Sequence, residues 1–439
     1  MLPFNTINFT DNLLYSPMAD ILVLGANGYS GRLIAKYLLE HPQRNTFRLA
    51  LAARSRSKLE AAKLPLDSSV ELWEVDLANE AALEETIGKV SVVVNCIGPY
   101  WRTGTPIVRA CVRQGKHYVD ICGETHWIYD IIRLFDFHAT RTRSIIVPSC
   151  GFDSAPSDAL VYITNRTLKA KFPYAQIIDS VTAVDMNTGG AGAGTLQTVL
   201  STFGEVPRSV LELSSQAYAL SPVHGGKAYP AFNLLYTLPK PFSHVTGSYS
   251  LLGGINRAIV ERTFGIFELD KSSTPKQSYG PRFRYDEFLV RKGYVNAFLA
   301  SMVIAFSLFA LVFFAPARWL FRILIPSSGN GPSEAKLKAG YLTMTNVSTA
   351  TTGSEMKQRA RVKSELRSNT SPLYLTSIIA GEAALSLLDP SQLPELARKG
   401  GLLTPMTAFG GVLLERLETS GHCALSAEML DYNGCSWDD

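Results

Sequence analysis

Short apolar runs alternate with amphipathic segments in the first third of the chain. Residues 21–24 and 90–97 are strongly apolar, as expected for strands that are buried on both faces. Between such runs, apolar residues recur at helical spacing and the connections are short. The pattern predicts further strands at 47–53, 70–75, 117–121 and 144–147, and helices at 79–87, 106–113 and 124–137. Strand and helix therefore alternate as in a doubly wound parallel sheet.

The first apolar run leads into a glycine-rich turn, which a helical pattern follows. In this turn Gly25 permits the tight bend, Gly28 lets the backbone approach a phosphate, and Gly31 lets the helix pack closely on the strand. The spacing is GxxGxxG rather than GxGxxG, so the flanking strand and helix carry most of the prediction. We expect a dinucleotide pyrophosphate at the helix start. Its predicted contacts are Gly25, Asn27, Gly28, Tyr29, Ser30 and Gly31.

The second strand ends in Arg54-Ser55-Arg56. An enzyme that uses NAD usually has an acidic residue here to hold the ribose 2′-hydroxyl, whereas a guanidinium can clamp a 2′-phosphate. Arg54 and Ser55 therefore favour NADP(H) as the cofactor. The alternative is a solvated basic loop.

Two later turns should lie along the same cofactor, because ligands of such sheets bind outside the carboxyl ends of the strands. The third strand ends at Asp76, and the apolar run at 90–97 leads into Gly98-Pro99. We predict cofactor contacts from Asp76, Ile97, Gly98 and Pro99. Simple turn chemistry is the other explanation for the Gly-Pro pair.

The regular alternation of short strands and helices ends after Cys150. We therefore place a tail at 1–17, the nucleotide-binding domain at 18–150 and a second α+β domain at 151–439. We expect a helix that begins within residues 151–158 and runs to about residue 168, with Asp153 or Ser154 as its N-cap. Strands are predicted at 178–186, 282–290, 340–347 and 356–366. A glycine-rich tract at 187–195, followed by a predicted helix at 196–202, either approaches a ligand or packs on a neighbouring element.

An insert at 295–326 contains 21 residues, 297–317, without a charge. At ~1.5 Å per residue this matches the ~30 Å hydrocarbon thickness of a bilayer. Arg291, Lys292, Arg318 and Trp319 flank it, as the headgroup region favours. A buried core helix is the alternative. We favour a hairpin or in-plane anchor over a crossing, because a single span would separate two parts of one domain, and Pro316 could bend the helix.

Four cations alternate near the end of the chain, at Lys357, Arg359, Arg361 and Lys363. On a strand all four point to one face. Such a face is either solvated or attracted to anionic headgroups or to the phosphates of an acyl carrier or coenzyme A.

Composition narrows the functional classes. The chain has 439 residues, 18% charged and 10% aromatic, which excludes a disordered protein and suggests two or three domains. A net charge of +4 is too small for a nucleic-acid-binding protein. The six cysteines form no metal-site spacing, so we predict no metal and reduced thiols in a cytosol-facing protein.

Five stretches resemble the saccharopine dehydrogenase-like oxidoreductases, which include the mycobacterial trans-acting enoyl reductases. They are DILVLGANGYSGRLIAKYL, VVNCIGPYWRTGTPIVRACVRQGKHYVDICGE, PSCGFDSAPSD, GGAGAGT and GGLLTPMTAFGGVLLERL. The resemblance implies an α/β fold: a Rossmann-type doubly wound parallel sheet for NADP, and a second mixed α+β domain, which here carries the hydrophobic, membrane-associating insert. It also implies that some relatives reduce a carbon–carbon double bond on a lipid-like or polyketide chain, and that some associate with membranes or lipid droplets.

An enoyl reduction needs a hydride donor, a proton donor and a group that polarises the carbonyl. Tyr100 follows the Gly98-Pro99 turn and is one candidate acid, although it could be an aromatic residue that packs on the cofactor. Asp153 is the other candidate, although it could be a helix cap. The YxxxK pair at Tyr236 and Lys240 is rejected, because Pro239 prevents the helix that this motif needs.

The sequence thus predicts an NADPH-dependent oxidoreductase, of the enoyl reductase type, for a hydrophobic small-molecule or acyl substrate. We expect it on a cytosol-facing membrane or lipid-droplet surface, with no nucleic-acid partner, and we leave a homodimer open. Two rival hypotheses remain. One is a non-catalytic NADP-binding lipid-surface protein, and the other is a saccharopine-type amino-acid dehydrogenase.

Overall fold

The structure, a computed structural model, describes residues 17–188, 204–270, 277–314, 331–352 and 358–430, with isolated residues between these ranges. Its strands form two seven-stranded sheets. The strands and α-helices are numbered below in chain order.

The first sheet is the predicted doubly wound one. Its strand order is β13-β6-β5-β4-β1-β2-β3, and every adjacent pair is parallel. The strands are β1 Ala19–Leu24, β2 Leu49–Ala53, β3 Glu71–Glu74, β4 Val90–Asn95, β5 His117–Asp120, β6 Ile145–Val147 and β13 Gly401–Leu402. The central strands β1 and β4 are mostly apolar, and their apolar side chains are divided between two core clusters, one on each face.

The helices of this half are α1 Tyr29–Leu39, α2 Arg56–Glu60, α3 Glu80–Gly88, α4 Tyr100–Arg113 and α5 Thr125–Thr142. Four of them correspond to predicted helices, whereas the short helix α2 was not predicted. The start of α4 differs from the prediction, which placed it at Pro106. Instead Pro106 lies inside the helix, and the first amides of α4 are bound by the Glu124 carboxylate, 24 residues further along the chain. A cap from so distant a residue leaves no local signal in the sequence.

Residues far beyond position 150 complete the first half. The edge strand β13 pairs with β6, and helix α11 (Pro372–Ser386) contributes Leu375 and Ile378 to the same apolar core as Ile21 and Val23 of β1. In sequence order, the chain therefore passes through most of the second half before it returns to the nucleotide-binding half.

The second sheet is mixed, with the order β14-β12-β11-β7-β10-β9-β8 and one parallel pair, β10 with β7. Its strands are β7 Gln176–Asn187, β8 Tyr236–Thr237, β9 Thr246–Tyr249, β10 Tyr285–Val290, β11 Tyr341–Thr352, β12 Gln358–Ser368 and β14 Cys423–Leu430. The four predicted strands correspond to β7, β10, β11 and β12. Three strands at the edges, β8, β9 and β14, were not predicted.

Helix α6 (Ala155–Lys171) packs on this sheet, and its Ala155, Ala159 and Leu160 share an apolar core with residues of β1. The Thr164 hydroxyl donates to Ser364 Oγ (2.9 Å), and the Ser364 hydroxyl donates to the Leu160 carbonyl (3.1 Å). The remaining helices are α7 Arg208–Ser214, α8 Gly253–Leu269, α9 Tyr294–Phe313, α10 Glu334–Lys338, α12 Glu395–Arg398, α13 Pro405–Ala408 and α14 Gly411–Thr419.

Helix α9 is the apolar part of the predicted insert. By length and composition it could cross a membrane, and it is the one such helix in the described ranges. Its buried residues are Ala297 and Ser301, and Ser301 Oγ accepts the Tyr249 amide of β9 (3.0 Å). Further along, Val303 is 66% and Phe306 is 73% exposed, so α9 is not a core helix of this chain. Most of residues 315–330 lie outside the described part.

The cationic face of β12 contacts other groups of the protein. Lys363 Nζ lies 2.8 Å from Glu365 and 3.7 Å from Glu428, and the Arg361 guanidinium donates to the Lys240 carbonyl (2.6 Å). Lys357 lies outside the described residues. An attraction of this face to headgroups or phosphates stays a prediction.

Candidate functional site

The predicted glycine turn joins β1 to α1, and two of its glycines leave no space for a side chain. Gly25 has φ +80°, and a Cβ there would lie 2.8 Å from Ile97 Cγ1. A Cβ on Gly31 would collide with the Gly25 carbonyl oxygen. Gly28 closes the turn, donating its amide to the Gly25 carbonyl (2.9 Å). These contacts hold the start of α1 close to the ends of β1 and β4.

The start of α1 presents free amides. Gly28 occupies the N-cap position without a capping side chain, and the first turn has no acidic residue. The amides of Tyr29, Ser30 and Gly31 have no acceptor among the residues that the structure describes, and the first α1 bond runs from Arg32 N to Gly28 O. Unpaired amides and the helix dipole together favour an anion such as a pyrophosphate. Asn27 is half-buried beside them.

Arg54 stands exposed where β2 ends, and within the described ranges its guanidinium has no hydrogen-bond or ion-pair partner. Ser55 is the N-cap residue of α2, and its hydroxyl lies 2.7 Å from Ser57 Oγ. On the neighbouring strand end, the exposed Asp76 carboxylate accepts the Ala78 amide (3.0 Å). Arg54 and Asp76 thus lie at one edge of the sheet, and the guanidinium is available to a ligand.

The Ile97-Gly98-Pro99 turn lies directly beside the glycine turn. The Thr103 hydroxyl bonds both the Ile97 and Pro99 carbonyls (2.8 and 3.0 Å), and the Ile97 amide donates to Asn95 Oδ1 (3.0 Å). The Gly98-Pro99 peptide is cis, and Gly98 is exposed. The structure therefore brings together the two turns that the sequence singled out separately.

Tyr100 points into the protein. Its hydroxyl donates to the Asn95 carbonyl (3.0 Å), its ring packs on Trp127 with centroids 5.3 Å apart, and the residue is 6% exposed. Burial raises the pKa of the phenol well above its ordinary value. Its assignment as proton donor stays a prediction that this geometry does not favour, because the hydroxyl proton is already bound to a backbone acceptor.

A buried hydrogen-bond network fixes the ends of β4 and β5. Asn95 Nδ2 donates to the Tyr118 hydroxyl (3.0 Å), which donates to Asp120 Oδ2 (2.7 Å). Asp120 Oδ1 accepts the amides of Cys122 (2.9 Å) and Ser149 (2.8 Å). Burial raises the pKa of Asp120 to about 7, although the two amide bonds oppose this. This network was not identified from the sequence. The signal in the sequence that could have revealed it is the polar residue at the end of each apolar strand.

Glu124 is a second residue that prediction missed. It is 2% exposed, and its two carboxylate oxygens accept the amides of Tyr100 and Trp101, both at 2.8 Å. Burial raises its pKa, opposed by these bonds and by one from the Thr198 hydroxyl. His126 Nε2 lies 3.6 Å from Glu124 Oε2, and burial lowers the pKa of this imidazole to about 4. Glu124 thus anchors the helix that follows the Gly98-Pro99 turn.

Asp153 lies between β6 and α6, half-buried at the same end of the sheet. Its Oδ2 is 3.7 Å from the point where a Cβ on Gly123 would lie. Burial raises its pKa to about 6, and its carboxyl has no partner in the described part of the chain. Asp153 and Ser154 were the predicted N-caps of α6, but neither side chain caps the helix. Ser154 occupies the N-cap position, and its hydroxyl donates to Asn256 Oδ1 (3.3 Å) instead of to a helix amide. These features are the ones expected of a general acid, and the assignment of Asp153 as that acid stays a prediction.

The second half reaches this edge through the segment after β7. Arg102 of α4 forms a bidentate ion pair with Glu205, with Nε 2.6 Å from Oε2. Thr198 bonds Glu124, and a Cβ on Gly190 would lie 3.2 Å from Pro332 Cγ. Residues 189 and 191–197, most of the glycine-rich tract, lie outside the described residues, as does much of the predicted helix at 196–202. In the described ranges no group of three or more His, Cys, Asp and Glu side chains could hold a metal.

Comparisons with known proteins identify the family and its NADP-binding domain. Residues 21–169 match the family model of the saccharopine dehydrogenase NADP-binding domain. A Mycobacterium tuberculosis protein provisionally named a trans-acting enoyl reductase is 32% identical, over 92% of this chain and 96% of its own length. Trans-acting enoyl reductases of Mycobacterium ulcerans and Mycobacterium bovis are 31% and 29% identical, with the same coverage.

Among solved structures, apo saccharopine dehydrogenase (L-Glu forming) from Saccharomyces cerevisiae aligns with 94% of this chain and 100% of its own, with a TM-score of 0.53 and 11% identity. That likeness concerns the fold: a parallel nucleotide-binding sheet and a mixed second sheet. The NADP-binding half, the near full-length relatives and the shared fold lead to one conclusion. The chain belongs to the saccharopine dehydrogenase-like family of NADP-dependent oxidoreductases.

Proposed function

We propose that this protein is an enoyl reductase that uses NADPH to reduce a carbon–carbon double bond conjugated to a carbonyl, on a hydrophobic acyl substrate. The observation that carries the proposal is Asp153, an unpaired, half-buried carboxyl with a raised pKa. It follows β6, at the same edge of the parallel sheet as the glycine turn that follows β1. The names of the relatives support the same reaction.

In this proposal each residue has a separate task. The amides at the start of α1 bind the pyrophosphate, and Arg54 clamps the 2′-phosphate through charge-assisted hydrogen bonds. The Ile97-Gly98-Pro99 turn, anchored by Glu124, forms the wall beside the nicotinamide. Bound NADPH supplies the hydride, which is added to the β-carbon of the substrate.

The reaction also needs one proton. As the β-carbon receives the hydride pair, the double-bond electrons move towards the carbonyl, and the α-carbon then takes a proton from the Asp153 carboxyl. The carboxylate is reprotonated from solvent, so the net change is the addition of one hydride and one proton. A pKa of about 6 suits this role near neutral pH.

The direct test is turnover. Purified full-length protein is mixed with NADPH and a panel of enoyl thioesters of increasing chain length, and loss of NADPH absorbance is followed. We expect substrate-dependent oxidation, with kcat/KM rising with chain length. Asp153→Asn should lose turnover, whereas Asp389→Asn, an exposed aspartate on another surface, should keep it. Saturable NADPH binding without turnover on any thioester would favour the non-catalytic alternative.

We also propose that α9 holds the protein on a membrane or lipid-droplet surface. Large apolar side chains are exposed around most of the helix, with exposed Arg291 and Lys292 before it and Trp319, 64% exposed, after it. The strands on either side of the insert, β10 and β11, belong to one sheet. This favours a hairpin or an in-plane helix over a crossing, because both ends stay on one side.

Flotation with phosphatidylcholine vesicles, with and without an anionic lipid, tests this anchor. We expect the wild type to float with the vesicles, and Val303→Glu with Phe306→Glu to remain in solution with unchanged NADPH binding. Leu134→Glu with Phe137→Glu is the matched control, because these side chains are also exposed but lie on α5. Equal flotation of all three proteins would contradict the proposal.

A further inference from the structure

Gly331 and Pro332, which follow the insert in the sequence, contact the start of α1. The Tyr29 hydroxyl, at the start of α1, donates to the Pro332 carbonyl (2.8 Å). This bond joins residues 303 positions apart. It connects the glycine turn to a segment that lies outside the NADP-binding half.

The segment makes close contacts in both halves. Gly331 lies against the Tyr29 ring, so that a Cβ there would collide with the ring atoms. Pro332 Cγ also lies 3.2 Å from the position of a Cβ on Gly190, whose φ is +135°. Gly331 and Pro332 therefore contact the start of α1 through Tyr29 and the glycine-rich tract of the second half through Gly190.

The segment is also fixed further along. Helix α10 follows it directly, and the Leu337 carbonyl accepts the Ser371 amide (2.9 Å) at the start of α11. A Cβ on Gly340 would collide with Ser371 and lie 2.7 Å from the Asn187 carbonyl oxygen. Because α11 packs in the core of the first half, the segment has a firm support there, and Tyr29 is its point of attachment at the cofactor turn.

We propose that Gly331 and Pro332, held by Tyr29, form an outer wall of the NADP site that the second half contributes. The inference rests on the NADP-binding role of the glycine turn and on the proposed position of the pyrophosphate at the start of α1. A wall at this point covers the phosphates from solvent, so its main effect is to slow cofactor release. Tyr29 acts as a positioning residue, because its side-chain bond goes to the wall.

Two substitutions test the contribution of this wall without changing a glycine of the cofactor turn. Tyr29→Phe removes the hydroxyl donor and keeps the ring. Gly331→Ala adds a methyl group that must push the segment off the ring. The readout is the NADPH dissociation rate of the full-length protein, from stopped-flow fluorescence after displacement by excess NADP⁺. We expect a five- to tenfold faster release in each variant, as for the loss of one hydrogen bond, with the association rate within about twofold of the wild type.

The control is Tyr174→Phe, which alters an exposed tyrosine before β7 and should leave the release rate unchanged. Thermal unfolding of the cofactor-free variants shows whether they fold. If folded Tyr29→Phe and Gly331→Ala proteins release NADPH at the wild-type rate, the proposed wall is contradicted. The assignment of the NADP site would not be affected by that result. Absence of saturable NADPH binding in the wild type would instead refute the site on which the inference rests.

Discussion

The Asp158 carboxylate accepts the Met406 amide at 2.9 Å, although the two residues are 248 positions apart. The bond joins α6 of the second half to α13, which follows the strand that closes the first sheet. It also joins two of the five stretches that carried the family resemblance. Burial raises the pKa of Asp158 to about 7, opposed by bonds from Thr263, Met406 and Thr404.

This pKa predicts how stability depends on pH. The folded pKa of about 7 exceeds the ordinary 3.8, so the folded protein holds this proton more tightly than the unfolded chain. The resulting stability is complete below pH 4 and is lost as the pH rises towards 7. The asparagine of the Asp158→Asn variant does not titrate. Between pH 5 and pH 8 the wild type should therefore lose about 2 kcal/mol more of its free energy of unfolding than the variant does.

Urea denaturation at the two pH values measures this difference. Asp389→Asn is the control, because the Ser391 hydroxyl lowers the pKa of Asp389 and keeps it ionised across the range. Parallel losses of stability in the Asp158→Asn and wild-type proteins would show that Asp158 titrates normally.

Arg54 should set the choice between the two nicotinamide cofactors. Its guanidinium is exposed and unpaired within the described ranges, so the 2′-phosphate has no internal competitor. Arg54→Asp should weaken NADPH binding by about 30-fold or more, since charge-assisted bonds are lost and a repulsive carboxylate is introduced. NADH binding should change less than about threefold. Calorimetry with both cofactors measures this, and Arg141→Asp provides the same charge change on the exposed end of α5. Equal losses for both cofactors would place the 2′-phosphate elsewhere.

Glu124 should control both stability and the nicotinamide wall. Glu124→Gln leaves one oxygen for two amides and directs an NH₂ group at the start of α4, so we expect about 1–3 kcal/mol less stability. The KM for NADPH should rise because the Gly98-Pro99 turn loosens. Chemical denaturation and steady-state kinetics report the two effects. Glu415→Gln, an exposed change on α14, is the control. A variant as stable as the wild type would mean that the helix start is held by other contacts.

Asp153 should act in its protonated form. Burial raises its pKa to about 6, so kcat should fall as the pH rises above that value, up to tenfold per unit where proton transfer limits the rate. Asp153→Asn should lower kcat by about 10²–10⁴ and leave the KM for NADPH within about twofold. Rates of the wild type and the variant across pH 5–9 measure both effects. A variant with the wild-type kcat and pH profile would exclude Asp153 as the acid.

Much of the cofactor half could be predicted because its signals are local. A buried strand, a glycine turn and a helix follow one another within residues 21–39, so adjacent positions specify the whole unit. The end of β2 at Arg54 could be located in the same way. In the second half, apolar and polar patterns located β7, β10, β11 and β12, which are long enough to show a period.

Other parts of the site depended on contacts that no local pattern encodes. Strand β13 has two residues, Gly401 and Leu402, too few to show any periodicity. The beginning of α4 depends on Glu124, and the direction of the Tyr100 ring depends on Trp127 and the Asn95 carbonyl.

The sequence by itself determined the alternation of strand and helix, the phosphate turn with Arg54 beyond it, and the apolar insert, because these depend on near neighbours in the chain and on side-chain polarity. Tertiary structure decided which carboxyls are buried, where the Tyr100 hydroxyl points, and that the chain beyond the insert returns to Tyr29. Burial and long-range hydrogen bonds depend on which distant segments pack together, and a one-dimensional pattern does not contain that information.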